Sequence, residues 1–311
     1  MGNALVKSWL KRDDVERLVV FSRDELKQSQ MREKFTDNRL RFMLGDVREQ
    51  SRLKMAMYGI DTVIHAAALK RVDATAGDPL ELCKTNIFGT GNVLQAALWS
   101  KVSRVLLISS DKACQPANAY GGSKFMAEQL TTQFNVYGAP QWTISASVRY
   151  GNVLYSRGSV LNTWTWQAEN GMALTITEPK ATRFLITMKQ AIWLIEDALA
   201  HMEGGEIFVP TLPACSIVTL AEAVSGEFGY LYSGLRPGGE KLHETLLSAD
   251  EAAHSVDSGC SVILPHISPW RTSSKWAHEP KSHPFARSSD TALQLNVNEV
   301  RELLSEGRNS L

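Results

Sequence analysis

"RVLLISSDKACQPANAYGGSK", residues 104–124, reads as a buried strand that breaks into a polar loop and restarts as a helix. Arg104 to Ile108 is a short aliphatic run of strand length, Ser109, Ser110, Asp111 and Lys112 end it, and Tyr120 stands one helical turn before Lys124. On one helix face the ammonium can lie under the phenol and a bound ribose. A nearby cation lowers a phenol pKa, so Tyr120 reads as a base for an alcohol. Chance produces Tyr-x-x-x-Lys often; its place just after an apolar strand gives it weight. Moving a hydride needs only the Tyr and the Lys, so Asp111 and Lys112 beside them point to a second chemical step.

The flanking sequence repeats the strand rhythm. RLVVFS (17–22), LRFMLGD (40–46), DTVIHAAA (61–68) and TISASVRYGN (143–152) are Val/Ile-rich runs separated by helical patterns, as in Leu5, Trp9 and Leu10, or Leu82, Ile87, Val93, Leu94, Ala97 and Leu98. This predicts an α/β fold, a doubly wound parallel sheet of Rossmann type covered on both faces. The dinucleotide-binding domain is expected over 1–150. A smaller C-terminal lobe, 151–311, is punctuated by Pro179, Pro210, Pro213 and Pro237, interleaves with the first and closes on a helix, VNEVRELLSEG. Such a fold opens with a central strand and a glycine turn that offers backbone N–H groups to a pyrophosphate. Here "MGNALVKSWL" is already helical, so the first strand is expected to be absent, and only Gly2 could be the turn's last glycine.

Where an NAD enzyme ends its second strand in an acid that binds the adenine ribose, this chain has Ser22 and Arg23, with Lys27 one turn on. Cations there favour a 2'-phosphate and hence NADP; the plainer alternative is a solvated surface Arg. Gly45, Asp46 and Val47 close the next strand, where the adenine edge would lie. Ala66 and Ala67 in HAAA let a cofactor approach the backbone. His65 reads as a satisfied core histidine, and Asn86 as a structural residue of its helix.

Lys plus Arg and Asp plus Glu are 33 each, so no global field draws the chain to nucleic acid or to an anionic membrane. Cys83, Cys114, Cys215 and Cys260 are too widely spaced for a zinc site or a disulfide framework, which reads as reduced thiols in a cytoplasmic protein. No apolar run reaches the length of a membrane span and no signal peptide is evident.

The succession SRDELKQ (22–28), GDVR (45–48), HAAALK (65–70), KTNIFGT (84–90), SSDKA (109–113), YGGSK (120–124), RYGNVLYSRGSV (149–160), TRFLIT (182–187), GGEIFVP (204–210) and EKLHE (240–244) resembles the inverting UDP-N-acetylglucosamine 4,6-dehydratases of the extended short-chain dehydrogenase/reductase superfamily. The resemblance runs over nearly the whole chain, and Asp-Lys stands where the related dTDP-glucose 4,6-dehydratases carry Asp-Glu. It implies Asp111 as the acid at the C6 hydroxyl, Lys112 as the base at C5, Tyr120 as the base at C4 with Lys124 beside it, and Ser110 as a partner of the sugar. It also implies Lys70 near the cofactor, Asn152, Arg157, Ser159, Arg183, Arg236 and Glu240 around the UDP-sugar, and a homo-oligomer. A basic Lys112 requires a depressed pKa, against which Asp111 pulls.

Departures bear on the substrate. RPGGEKLHE is one Gly longer than the family's RPGEKLHE, and Arg71, Asp73 and Ala76 stand where Gln, Pro and Glu are usual. LNTWTWQ (161–167) replaces a plainer apolar helix. The tail resembles the branch that makes 2-acetamido-2,6-dideoxy-L-sugar precursors, which often has Met at the Tyr120 position, whereas Tyr matches the flagellar-sugar branch. A C4 epimerase, a retaining dehydratase and a catalytically silent NADP-binding protein remain alternatives on the same fold.

Overall fold

The computed structural model describes residues 1–70, 77–139, 142–225, 229–234, 239–266, 268–270, 273–281 and 286–309. Its N-terminal part alternates helix and strand: α1 (Gly2–Trp9), β1 (Leu18–Ser22), α2 (Glu25–Lys34), β2 (Leu40–Leu44), α3 (Gln50–Ala56) and β3 (Thr62–His65), then α4 (Gly89–Trp99), β4 (Arg104–Ile108), α5 (Ala119–Gln133) and β5 (Ile144–Val148). Strands β3, β4 and β5 are parallel. Val105, Leu106 and Leu107 of β4 are all buried, as a strand covered on both faces requires. The amphipathic run from Leu82 to Leu98 is not one uniform helix. A π-helical turn, Cys83–Phe88, precedes α4 and carries the buried Thr85 and Asn86.

The second half follows as β6 (Asn152–Val153), α6 (Val160–Glu169), β7 (Leu174–Ile176), β8 (Thr182–Ile186), α7 (Met188–His201), β9 (Ile207–Val209), β10 (Ala214–Ser216), α8 (Ile217–Ser225), β11 (Tyr230–Tyr232), β12 (Thr245–Leu247), α9 (Ala249–Ala253), β13 (Ser255–Asp257), β14 (Ser261–Ile263), β15 (Arg287–Ser288) and α10 (Val297–Asn309). Three of these strands return to the large sheet, whose order is β13-β14-β9-β5-β4-β3, with β9 parallel to β5 and the outer two antiparallel. The others form small sheets (β10-β8-β6, β11-β7, β12-β15); a separate core includes Leu154, Trp164, Leu174, Ile176 and Val300, while Phe184, Ala214 and Leu246 join the central one. Among the described residues no helix is long and apolar enough to cross a membrane.

The parallel β1-β2 pair is not hydrogen-bonded to β3, so the expected single sheet is in two pieces. Helix α1 spans them: Leu5 enters the central core with Leu106 and Val148, and Val6 enters the cluster of Met31 and Leu40. Phe21, Val47 and Val63 share a third cluster with α3 and α4, a second apolar link between the pieces.

Two local devices position the loop between β4 and α5. Asn118 caps α5 by accepting the Gly121 N–H at 2.9 Å. Gly121 then packs so closely that a Cβ there would fall on the Lys112 carbonyl oxygen. At the far end of β5, Arg149 is fully buried. Its guanidinium donates to both oxygens of Glu128 on α5 (3.0 and 2.6 Å), both oxygens of Glu251 on α9 (2.8 and 3.0 Å) and the Leu246 carbonyl (3.0 Å).

Arg149→Met is expected to cost about 3–5 kcal/mol in a urea titration, because Glu128 is left buried without a counter-charge, and Arg149→Met with Glu128→Gln should recover part of the loss. Gly121→Ala should cost roughly 1–3 kcal/mol by forcing α5 away from the Lys112 backbone.

Candidate active site

The C-terminal ends of parallel strands are the usual ligand position in open α/β sheets. Ser22 and Arg23 follow β1, Asp46 and Val47 follow β2, Ala66, Ala67 and Lys70 follow β3, and Ser109 to Lys112 follow β4. Arg23 is half exposed, with Nη1 3.3 Å from Asp46 Oδ2; Arg48 also holds Asp46, at 2.7 Å. Lys27 pairs with Asp24, the N-cap of α2. Ser22 receives Gln28 Nε2 at 3.1 Å. Ala66, Ala67 and Lys70 are exposed, Val47 is buried, and Gly2 is the first residue of α1. Asn86 braces this rim: its Oδ1 accepts the Leu69 N–H at 2.8 Å, and its Nδ2 donates to the Leu69 carbonyl and to Ser123 Oγ, both at 2.9 Å. Burial, then the nearby Lys124, pushes His65 down to about 3; the neutral ring contacts Thr90 Oγ1 at 3.0 Å.

Ser110, Asp111, Lys112 and Tyr120 come together. The Asp111 N–H bonds to the Tyr150 carbonyl at 3.0 Å, so the loop stays tied to the end of β5. Asp111 Oδ1 accepts Ser110 Oγ at 2.7 Å and Lys112 Nζ at 3.0 Å. Asp111 Oδ2 is buried with no hydrogen-bond partner among the described residues, which leaves an acceptor, or a proton site, unmatched among them. After Cys114 the chain turns through Gln115, at φ 46, directly before Pro116; a non-glycine residue in this left-handed region is strained.

Burial pushes the Tyr120 phenol up, the Lys112 ammonium and a hydrogen bond with Ser110 oppose that rise, and Asp111 and Glu244 add to it. This corrects the expectation that Lys124 lowers the phenol: the opposing cation is Lys112. Lys124 Nζ instead donates to the Ile108 carbonyl at 2.7 Å, and burial brings Lys124 down to about 8 against the pull of Glu128.

The EKLHE segment closes the site from the C-terminal side. Glu240 Oε1 receives Arg183 Nη2 at 2.9 Å, and the same guanidinium donates through Nη1 to the carbonyls of Thr182 (2.7 Å) and Leu242 (3.0 Å). Lys241 Nζ donates to the Cys114 carbonyl at 2.7 Å. Glu244, almost fully buried, places Oε1 3.2 Å from Lys112 Nζ. Lys112 therefore sits between two carboxylates. Burial alone would lower its pKa, but Asp111 and Glu244 outweigh burial and hold it above its ordinary value.

Two of the expected substrate residues, Arg183 and Glu240, thus meet each other. Asn152 and Arg157 are exposed, on β6 and on the loop after it, with Arg157 in electrostatic reach of Asp24. Ser159 caps α6 with its Oγ buried and unpartnered among the described residues. Arg236, like Arg71, Asp73 and Ala76, lies outside the described residues. Sequence reasoning missed Glu244, Lys241 and Arg149, although each lies in a quoted motif. Only the fold shows that the second glutamate of EKLHE, and not just the first, turns into the site.

The polysaccharide biosynthesis protein family model matches residues 1–265. Proteins named UDP-glucose 4-epimerase from Rickettsia typhi and Rickettsia prowazekii are each 38% identical over 97% of this chain and 92% of their own. The X-ray structure of Pen from Bacillus thuringiensis superposes with a TM-score of 0.91 at 33% identity, covering 100% of this chain and 94% of Pen. DesIV, a dTDP-glucose 4,6-dehydratase from Streptomyces venezuelae solved with NAD, shares the fold at a TM-score of 0.71 and 19% identity, over 86% of this chain and 89% of its own. A match over residues 1–265, on a fold whose strand ends gather Ser110, Asp111, Lys112 and Tyr120, means that the chain belongs to the polysaccharide biosynthesis protein family of extended short-chain dehydrogenase/reductases.

Proposed function

We propose that this protein is a nucleotide-sugar 4,6-dehydratase that takes UDP-N-acetylglucosamine, uses NADP and inverts C5. The observation that carries this reading is the contact of Lys112 Nζ with Asp111 Oδ1 at 3.0 Å, beside Tyr120, with the second Asp111 oxygen free of any described partner. An acid and an amine that share one proton are what an elimination of water needs and what a simple hydride transfer does not.

The residues at the strand ends fit a nicotinamide dinucleotide. Ala66 and Ala67 present no side chain beyond Cβ to a planar group, and Lys124 is a buried cation whose hydrogen bond to Ile108 leaves further N–H donors for ribose hydroxyls. Arg23 and Lys27 lie where a 2'-phosphate would be met, each already paired with an acid. Held there by Ala66, Ala67, Lys124 and Arg23, NADP would supply the hydride chemistry that links C4 and C6.

The remaining steps belong to the chain's own groups. Tyr120 takes the C4 hydroxyl proton, its phenolate favoured by the Lys112 ammonium and the hydrogen bond with Ser110. Lys112, as the free amine, takes the C5 proton, while Asp111, as the acid, gives its proton to the C6 hydroxyl, which leaves as water. The pair then stands as ammonium and carboxylate, the charge state that the ion pair favours; as C6 of the 4-keto-5,6-ene receives hydride, C5 takes a solvent-derived proton on the face opposite the one deprotonated, which gives the inverted 4-keto-6-deoxy sugar. Arg157, exposed, is the cation offered to the diphosphate, whereas Arg183 would first have to leave Glu240, and a homo-oligomer belongs to the same reading. The name of the Rickettsia relatives favours a second reading, C4 epimerisation of UDP-glucose, for which Tyr120 and Lys124 suffice and Asp111 and Lys112 have no step.

Incubation with UDP-N-acetylglucosamine and NADP should give a product lighter by one water by mass spectrometry, with one solvent deuteron at C5 of an L-configured 4-keto-6-deoxy sugar in deuterated water. A C4 epimer of unchanged mass would replace this reading by the second one. Lys112→Met should abolish dehydration while substrate still reduces some bound cofactor; dehydration at the normal rate would remove Lys112 from the chemistry. Arg23→Ala should weaken NADP about tenfold to a hundredfold, the worth of a charge-assisted contact, and leave NAD nearly unchanged. Equal losses for both cofactors, read by fluorescence titration, would make Arg23 structural.

A further inference from the structure

We infer that Glu244 is a positioning residue for Lys112: from the C-terminal lobe it clamps the amine opposite Asp111 and keeps it protonated until substrate separates the two. The inference rests on the dehydratase reading for its meaning in the reaction, but not for its geometry. Lys112 Nζ lies 3.0 Å from Asp111 Oδ1 and 3.2 Å from Glu244 Oε1, and both carboxylates are buried while the Lys112 side chain keeps 29% of its exposure. The other Glu244 oxygen has no hydrogen-bond partner among the described residues and lies 3.8 Å from Lys241 Nζ, whose own bond goes to the Cys114 carbonyl. Glu244 thus makes its shorter ion pair with Lys112 and only a longer one, through the other oxygen, with Lys241. The backbone fixes it too: its N–H donates to Ser289 Oγ at 2.9 Å, and its carbonyl accepts the Ser289 N–H at 2.8 Å.

Among the described residues, the charged and titratable groups that face Lys112 are Asp111 beside it, Tyr120 from α5, Arg183 from β8, and Glu244 with Lys241 from the segment before β12. Burial and Arg183 favour the neutral amine; Asp111 and Glu244 favour the ammonium and prevail. The sign follows. Removing the Glu244 charge removes one of two groups that hold the proton on Lys112, so the amine becomes free at lower pH. An opposite charge this close is worth at least about one pH unit.

The test compares wild type, Glu244→Gln and Glu244→Asp in the full chain. Acylation of Lys112 by acetic anhydride at fixed mildly alkaline pH, read peptide by peptide by mass spectrometry against exposed Lys54, should be about tenfold faster or more in Glu244→Gln. Glu244→Asp keeps the charge and should stay near wild type. If Gln leaves the rate unchanged, or if Asp accelerates it as much as Gln, so that the effect is loosening and not charge, the inference is overturned. Should Glu244→Gln fail to fold, Glu244→Asp with Lys241→Met decides: the carboxylate without its neighbouring cation should slow Lys112 acylation further, and an unchanged or faster rate overturns the inference. In turnover, Glu244→Gln should move the acid limb of the pH–rate profile down by about one unit, which loss of fold alone would not do. A wild type that releases no water but shows the acylation pattern refutes the dehydratase reading and leaves the clamp standing.

Discussion

A guanidinium without access to water holds the working parts of this protein together. Arg149 ends β5, the strand beside the one that delivers Asp111, and its donors reach Glu128 on the tyrosine-bearing helix and Glu251 on the helix after β12. One side chain thus ties the sheet, α5 and the C-terminal lobe. Arginine is suited to this because its planar fork can meet two carboxylates at once and cannot shed its charge. The cluster also reaches the chemistry: Glu128 is the group that opposes the fall of the Lys124 pKa, and Glu251 receives the Cys114 thiol at 3.3 Å just past the Asp111–Lys112 pair.

Around that anchor the site is built by close approach and shared protons, not by open polar surface. The glycine at 121 lets α5 start against the Lys112 carbonyl, which brings Tyr120 into the field of Lys112 and Asp111. The phenol, two carboxylates and the amine then form one coupled system, in which moving a proton on any member changes the others. The groups are nearly dry, so the coupling is strong and small changes in substrate contact can redistribute protons.

Much of this could be read from residues 104–124 before any coordinates. The aliphatic run of β4 and the Tyr120–Lys124 spacing are local signals, and local physics enforces them. Three features were not legible. The bridging role of α1, which puts Leu5 into one core and Val6 into another across the two sheets, does not show in its pattern. Tyr120 was expected to be depressed by Lys124, a one-turn argument; burial and the tertiary neighbour Lys112 decide it instead. Glu244 carries no spacing that marks it off from Glu240. Its role exists only because the segment before β12 folds back over the loop after β4.

The energetic cost of the Asp111–Lys112–Glu244 group bears on which chemistry it serves. A buried acid with an unpartnered oxygen, next to an amine held by two carboxylates, stabilises a fold less well than apolar residues of the same size would. Exchange of configuration at C4 needs a base at the hydroxyl and a cation under the ribose, and Tyr120 and Lys124 already meet that need. Abstraction at C5 with departure of the C6 oxygen requires one group that accepts a proton while its neighbour gives one. On the proposed reading the Asp111–Lys112 contact would supply both from a single shared proton, with a second carboxylate on the amine to keep that proton in place before substrate binds. The arrangement is costly for an epimerase and apt for an eliminase, which is why the elimination reading follows more directly from the side chains than from the names of the relatives.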